Sequence, residues 1–134
     1  MILVDTNAII DYLKGEEKAK KYFKEAHYMF YITTLNEFEI LLGLEHEKIK
    51  KPSLYNDRYR IWVEFRGNCK VLKIGSSQAL KGAEVYNTLE QQGKKIPKVD
   101  ALILGTMLTN GIAKILTKDK HFEYPGIEII DYSK

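Results

Sequence analysis

Cysteine is nearly absent from this 134-residue chain: Cys69 stands alone, which excludes a disulfide framework and suits a reducing cytoplasm. A solitary thiol of this kind is read as a small buried hydrophobe. Histidine is scarce as well. His27, His46 and His121 show no zinc-like spacing and have no cysteine partners, so no zinc site is expected and all three are read as ordinary structural or surface residues. Long hydrophobic runs are missing, and nothing approaches the roughly 20 apolar residues that cross a bilayer. The apolar start, Ile2 to Val4, is cut by Asp5 and follows no basic stretch, so no secretory signal is expected. These absences describe a cytoplasmic protein that does not use the membrane. Internal repeats and low-complexity segments are also lacking.

What is present fits one domain spanning residues 1–134, long enough to bury a real core. The net charge of +3 is compatible with a polyanionic partner without demonstrating one. Lysines cluster at Lys18/Lys20/Lys21/Lys24, Lys48/Lys50/Lys51 and Lys94/Lys95/Lys98, each read as a solvated face.

Short apolar segments occur at Ile2 to Val4, Met29 to Ile32, Val71 to Ile74, Ala113 to Leu116 and Ile127 to Ile130, with the brevity of strands. Helical stretches lie between them. Asn7 opens one through Leu13, and another runs from about Glu16 to Ala26. Thr34-Leu35-Asn36-Glu37 has the form of a capping box, which predicts a helix from Leu35 to about Lys48. Further helices are predicted over Leu54 to Phe65, Ser77 to Gln92, and Pro97 to Thr109, the last opened by proline and closed by Asn110-Gly111. Alternating strands and helices indicate an α/β sandwich with a mainly parallel sheet of about five strands.

In such sheets ligands bind at the carboxyl ends of the strands. Asp5 and Asp119 fall just after strands, while Glu39 and Asp100 fall early in helices that begin on the same side. The topology thus gives four distant acids a physical reason to meet. Asp5 could serve as a helix N-cap, but Thr6 or Asn7 could do so instead, which would leave its carboxylate free. Glu37 is assigned to the capping box and Glu39 to the site. Leu42 and Gly43 share a helix side with Glu39, so that side is expected to pack, with Gly43 admitting another backbone. Asp100 stands in Val99-Asp100-Ala101-Leu102-Ile103-Leu104-Gly105, apolar almost all round as in a buried helix. A carboxylate there needs a cation, a metal or hydrogen bonds, since an unpaired buried ion costs several kcal/mol. Thr117 and Asp119 alternate at the end of a strand, so both could face one cleft. Four converging carboxylates suit a hard oxygen-seeking cation, Mg²⁺ or Mn²⁺.

Val4-Asp5-Thr6-Asn7, Thr33-x-x-Asn36-x-x-Glu39-x-x-x-Gly43, Pro97 to Gly105 around Asp100, and Leu116-Thr117-x-Asp119-x-x-Phe122 together resemble a PIN domain, in particular the VapC-type toxin ribonucleases. The resemblance covers nearly the whole chain except Lys51 to Gly82, which carries no diagnostic motif. It implies a three-layer α/β/α fold and a metal-dependent endoribonuclease with Asp5, Glu39, Asp100 and Asp119 as catalytic and metal-holding residues. Thr6, Asn7 and Thr117 resemble the supporting polar positions. The chemistry implied is attack by water on an RNA phosphodiester, with Mg²⁺ or Mn²⁺ bound, leaving 5′-phosphate and 3′-hydroxyl ends on tRNA or rRNA. The resemblance also implies a homodimer held inactive by a VapB-type antitoxin. Tyr55, Tyr59 and Trp62, with Arg58 and Arg66 nearby, fit either a packed helix or a partner surface.

Two other readings stand beside this one. A stand-alone PIN nuclease of rRNA processing or RNA decay would keep the fold and chemistry without an antitoxin. A non-enzymatic binding or phosphoacceptor domain would share only the sheet. A dehalogenase-type phosphoacceptor wants an aspartate two residues after Asp5, where Asn7 stands, and a receiver domain wants an acidic pair at the end of the first strand.

Overall fold

The computed structural model describes all 134 residues. Five strands, β1 (Ile2–Val4), β2 (Phe30–Thr33), β3 (Lys70–Leu72), β4 (Lys114–Leu116) and β5 (Glu128–Ile130), form one sheet in the order β3-β2-β1-β4-β5. Every pairing is parallel. Six helices surround it: α1 (Thr6–Leu13), α2 (Glu17–Glu25), α3 (Thr34–Lys50), α4 (Pro52–Gly67), α5 (Ser76–Gln91) and α6 (Lys98–Thr109). A 3-10 turn, Lys120–Phe122, follows β4.

The pleat of β1 explains the layering. Successive strand side chains point to opposite faces, and Ile2 and Val4 enter one core while Leu3 enters the other. The first core also takes Ile9, Ile40, Leu44, Trp62 and Phe65, from α1, α3 and α4. The second takes Val85, Leu89, Leu104 and Met107, from α5 and α6. All three β1 residues are fully buried, as a central parallel strand covered on both faces requires. The α/β/α sandwich expected from the sequence is therefore the fold.

The strand ends differ from the apolar runs by at most two residues, and α4 starts at Pro52 instead of Leu54 because proline occupies its first turn, where its missing N–H costs nothing. Trp62 is buried and Tyr55 stacks on Tyr59 at 5.6 Å between ring centroids. Arg58 pairs with Glu47 and Arg66 with Glu37, so these arginines fasten α4 to α3.

Close helix contact occurs where the sequence did not suggest it. At Gly43 an added Cβ would meet nothing within 4 Å, and Leu42 beside it is 45 % exposed; this side of α3 is open, not packed. The close approach lies between α5 and α6, where a Cβ on Gly105 would stand 2.4 Å from the Gly82 nitrogen. Two glycines let the backbones touch.

Candidate functional site

Strand order reverses at β1, with β2 and β3 on one side and β4 and β5 on the other. In a parallel sheet the crevice at such a switch point is where ligands sit. The register fixes what lines it. Val4 pairs with Leu116 and the Asp5 amide donates to the Leu116 carbonyl at 3.0 Å, so Asp5 and Thr117 emerge side by side. Leu3 pairs with Tyr31, which sets Asp5 level with Thr33 at the root of α3.

Asp5 is only 7 % exposed. Its Oδ1 accepts the Thr6 backbone N–H at 2.8 Å and its Oδ2 accepts the Thr117 hydroxyl at 2.8 Å. Asp5 is thus itself the N-cap of α1, contrary to the expectation that Thr6 or Asn7 would cap. Its extended backbone turns the carboxylate back over the first turn, leaving Thr6 free for another task. A carboxylate offers about four lone-pair positions, so two bonds still leave room for a cation.

Thr6 donates its hydroxyl to Glu39 Oε1 at 2.7 Å and accepts from Asn36 Nδ2 at 3.0 Å. Asn36 belongs to the capping box of α3, which uses Thr33 and Asn36 instead of Thr34 and Glu37. Thr34-x-x-Glu37 fits the usual Ser/Thr-x-x-Glu/Gln pattern, yet burial selects the other register. The third helical position is fully buried at Asn36, where a neutral amide is tolerated and a glutamate charge would not be. Glu37, released from capping, binds Arg66 at 2.9 Å.

Thr117, also fully buried, accepts the Asp119 backbone N–H at 2.9 Å while donating to Asp5. Asp119 caps the 3-10 turn through the His121 backbone N–H at 2.9 Å. Asn7 reaches Thr117 with its Nδ2 at 3.5 Å, and its Oδ1 is buried without a hydrogen-bond partner. Asp100, in the first turn of α6, meets His121 Nδ1 at 3.0 Å, and Asp119 meets the same nitrogen at 3.1 Å. His121, read from the sequence as an ordinary structural or surface residue, is therefore part of the acidic group. Its position two residues after Asp119 was the only signal that could have placed it.

Burial pushes the Asp5 carboxyl up to about 6; Asp100 and Asp119 add to this, while the bonds from Thr117 and Thr6 oppose it. Burial likewise raises Asp100, with Asp119 and Glu39 adding and the His121 contact opposing. Asp100 thus links the group, feeling Asp119 and Glu39 and itself acting on Asp5, while the tightest cluster is Asp100, Asp119 and His121, without Asp5 or Glu39. No lysine or arginine neutralises them: Asp5 and Glu39 have no ion-pair partner, and Asp100 and Asp119 have only His121. The nearest candidate in sequence, Lys118, is drawn instead to Asp11 at 2.7 Å. Uncompensated, partly buried carboxylates together with an unsatisfied amide oxygen form a donor set that fits a hard divalent cation.

The largest concavity, about 850 Å³, lies over α2 among Lys18, Lys21, Phe23 and Lys24 and includes none of these acids. The depression that includes Glu39 is smaller, about 200 Å³, lined by Ile10, Leu13, Ile40, Gly43 and Leu44 together with the charged Lys14, Glu39, Glu47 and Arg58.

A family model described as PIN domain matches residues 2–127. No curated protein matches the chain. Among solved structures, the DNA-bound VapBC from Salmonella typhimurium is similar at 22 % identity over 98 % of this chain and 97 % of that one, with a TM-score of 0.78. VapBC2 from Rickettsia felis, bound to a promoter DNA fragment, is similar at 19 % identity over 98 % and 100 % of the two chains, with a TM-score of 0.78. VapC20 from Mycobacterium tuberculosis, a toxin that cleaves the sarcin-ricin loop, is similar at 14 % identity over 91 % and 92 %, with a TM-score of 0.65. These likenesses show a shared fold.

Proposed function

The chain belongs to the PIN-domain family, and from that premise we propose that it is a divalent-metal-dependent endoribonuclease, the VapC-type toxin of a toxin-antitoxin pair. The observation that carries this reading is the group of acids at the sheet's switch point that no lysine or arginine neutralises.

Asp5, Glu39, Asp100 and Asp119 would hold Mg²⁺ or Mn²⁺. A divalent cation held there would supply a lower pKa for an attacking water and would offset charge growing on the phosphoryl oxygens. The protein's own part is positioning. Thr117 fixes the rotamer of Asp5, and Asn36 fixes Thr6, which in turn fixes Glu39. Asp5 and Glu39 are thereby aimed before substrate arrives, which reduces the reorganisation the reaction requires. Water as nucleophile leaves 5′-phosphate and 3′-hydroxyl ends and does not use the ribose 2′-hydroxyl. RNA as the substrate class is supported by the likeness to VapC20, and tRNA and rRNA are the first substrates to offer.

A VapB-type antitoxin is the proposed partner, supported by the toxin-antitoxin complexes among the structural neighbours. The groove beside Glu39 sets Ile10, Leu13, Ile40 and Leu44 among Lys14, Glu47 and Arg58, which suits an amphipathic helix. A basic side chain from such a segment would meet the unpaired Glu39. A second copy of the chain is assigned to the α5–α6 face, where Leu80 is 65 % exposed beside a groove lined by Ala83, Tyr86 and Leu102.

The test is cleavage of a tRNA and rRNA pool by purified protein in Mn²⁺ or Mg²⁺ against EDTA, with the new ends mapped. Cutting that requires metal and leaves 5′-phosphates is expected. Cutting in EDTA, or ends carrying cyclic phosphate, would overturn the reading.

A further inference from the structure

We infer that His121 supplies a nitrogen ligand which, with Asp100 and Asp119, makes a mixed nitrogen and oxygen position that favours a transition metal over Mg²⁺. The inference rests on the reading of the acidic cluster as a divalent-cation site.

The geometry is specific. The ligand atoms of Asp100, Asp119 and His121 all lie within 4.8 Å of one another. His121 Nδ1 stands 3.0 Å from Asp100 and 3.1 Å from Asp119. One ring nitrogen carries at most one hydrogen, so it cannot give each carboxylate its own bond. Two acceptors share a single donor, and a cation held among these three atoms would satisfy them more fully.

The placement of His121 is built into the chain. Phe122 is fully buried in the second core and anchors the turn, while the Asp119 carboxylate holds the His121 backbone N–H at 2.9 Å. The ring is thereby set across from Asp100, 21 residues away in sequence. No lysine or arginine competes for either carboxylate, and His121 Nε2 has no hydrogen-bond partner in the protein.

Ligand chemistry then sets the preference. Mg²⁺ takes oxygen donors and surrenders its waters reluctantly, whereas imidazole nitrogen suits first-row transition metals. Replacing one oxygen position by Nδ1 therefore favours Mn²⁺ and its heavier neighbours over Mg²⁺. Coordination through Nδ1 also requires the ring hydrogen to reside on Nε2.

The experiment is electron paramagnetic resonance of the purified protein titrated with Mn²⁺, combined with electron spin echo modulation and competition by Mg²⁺. Wild type is expected to bind Mn²⁺ with nitrogen modulation from one imidazole. His121→Ala should still bind Mn²⁺ but lose the modulation, and the Mg²⁺ needed for half-displacement should fall roughly tenfold or more. His121→Gln, which keeps an N–H for Asp100, should behave like the alanine variant; restoration by glutamine would assign His121 a hydrogen-bonding role and overturn the inference. Mn²⁺ bound by wild type without nitrogen modulation would also overturn it while leaving the metal-dependent nuclease intact. Failure of wild type to bind Mn²⁺ at all would overturn both.

Discussion

Replacing Asp5 with asparagine should make the metal-free protein more stable at neutral pH, although it removes a residue proposed to hold the catalytic metal. The carboxyl of Asp5 is almost wholly buried and titrates at about 6 in the folded chain, against ~3.9 in an unfolded one. Between those values the native state keeps a proton that the unfolded state has lost. Stability contributed by this group is therefore full below about pH 4 and is lost as pH rises through 6. A shift of about two pH units corresponds to ~3 kcal/mol of strain in the ionised state. Asparagine is isosteric and carries no charge, so it abolishes this dependence. It weakens the bond from Thr117, a loss of ~1 kcal/mol. The net gain at pH 7.5 is about 2 kcal/mol, or roughly 5–10 °C in Tm for a chain of this size. Differential scanning calorimetry in EDTA from pH 4.5 to 7.5 measures it. Wild type should lose stability across the range and Asp5→Asn should be flatter, with the order reversing when saturating Mn²⁺ rewards only wild type. An asparagine variant that melts below wild type at pH 7.5 in EDTA, or follows pH with an equal slope, would refute the electrostatic account of the site.

Three further outcomes are expected. Thr117→Val should lower kcat about tenfold or more without unfolding the chain, because Thr117 orients Asp5 and takes the Asp119 backbone N–H; an unchanged kcat would remove it from the site. Gly105→Ala should destabilise by about 3 kcal/mol, since its Cβ would fall 2.4 Å from the Gly82 nitrogen, and calorimetry showing an unchanged Tm would contradict the close helix crossing. Burial pushes the Cys69 thiol up to about 12, so Ellman's reagent should label it far more slowly in native protein than in urea; equal rates would place it outside the packed region.

The layers were legible because β1 is apolar without interruption and the helices between strands carry their own start and stop residues. Gly111, at a φ of +67°, ends α6 where Asn110-Gly111 suggested. Other details depended on burial, which single positions do not announce. Thr34 begins the usual capping-box pattern, and only the buried setting of Asn36 selects Thr33 instead. The Gly82 and Gly105 contact needs two residues 23 apart, on different helices, to meet, whereas Gly43 looked equally suited and faces open space. For the proposed site, strand ends pointed to Asp5 and Asp119, and helix starts to Glu39 and Asp100. The contact between His121 and Asp100 was not legible because the two are distant in sequence, and a histidine spacing rule looks for other histidines and cysteines instead of carboxylates.

Anomalous diffraction at the manganese edge, from crystals grown with Mn²⁺, tests most directly that the four acids form one cation site. The account predicts a peak in the crevice between β1 and β4, with Asp5, Glu39, Asp100 and Asp119 around it directly or through water. A peak elsewhere, or none while these carboxylates keep their present hydrogen bonds, would contradict it.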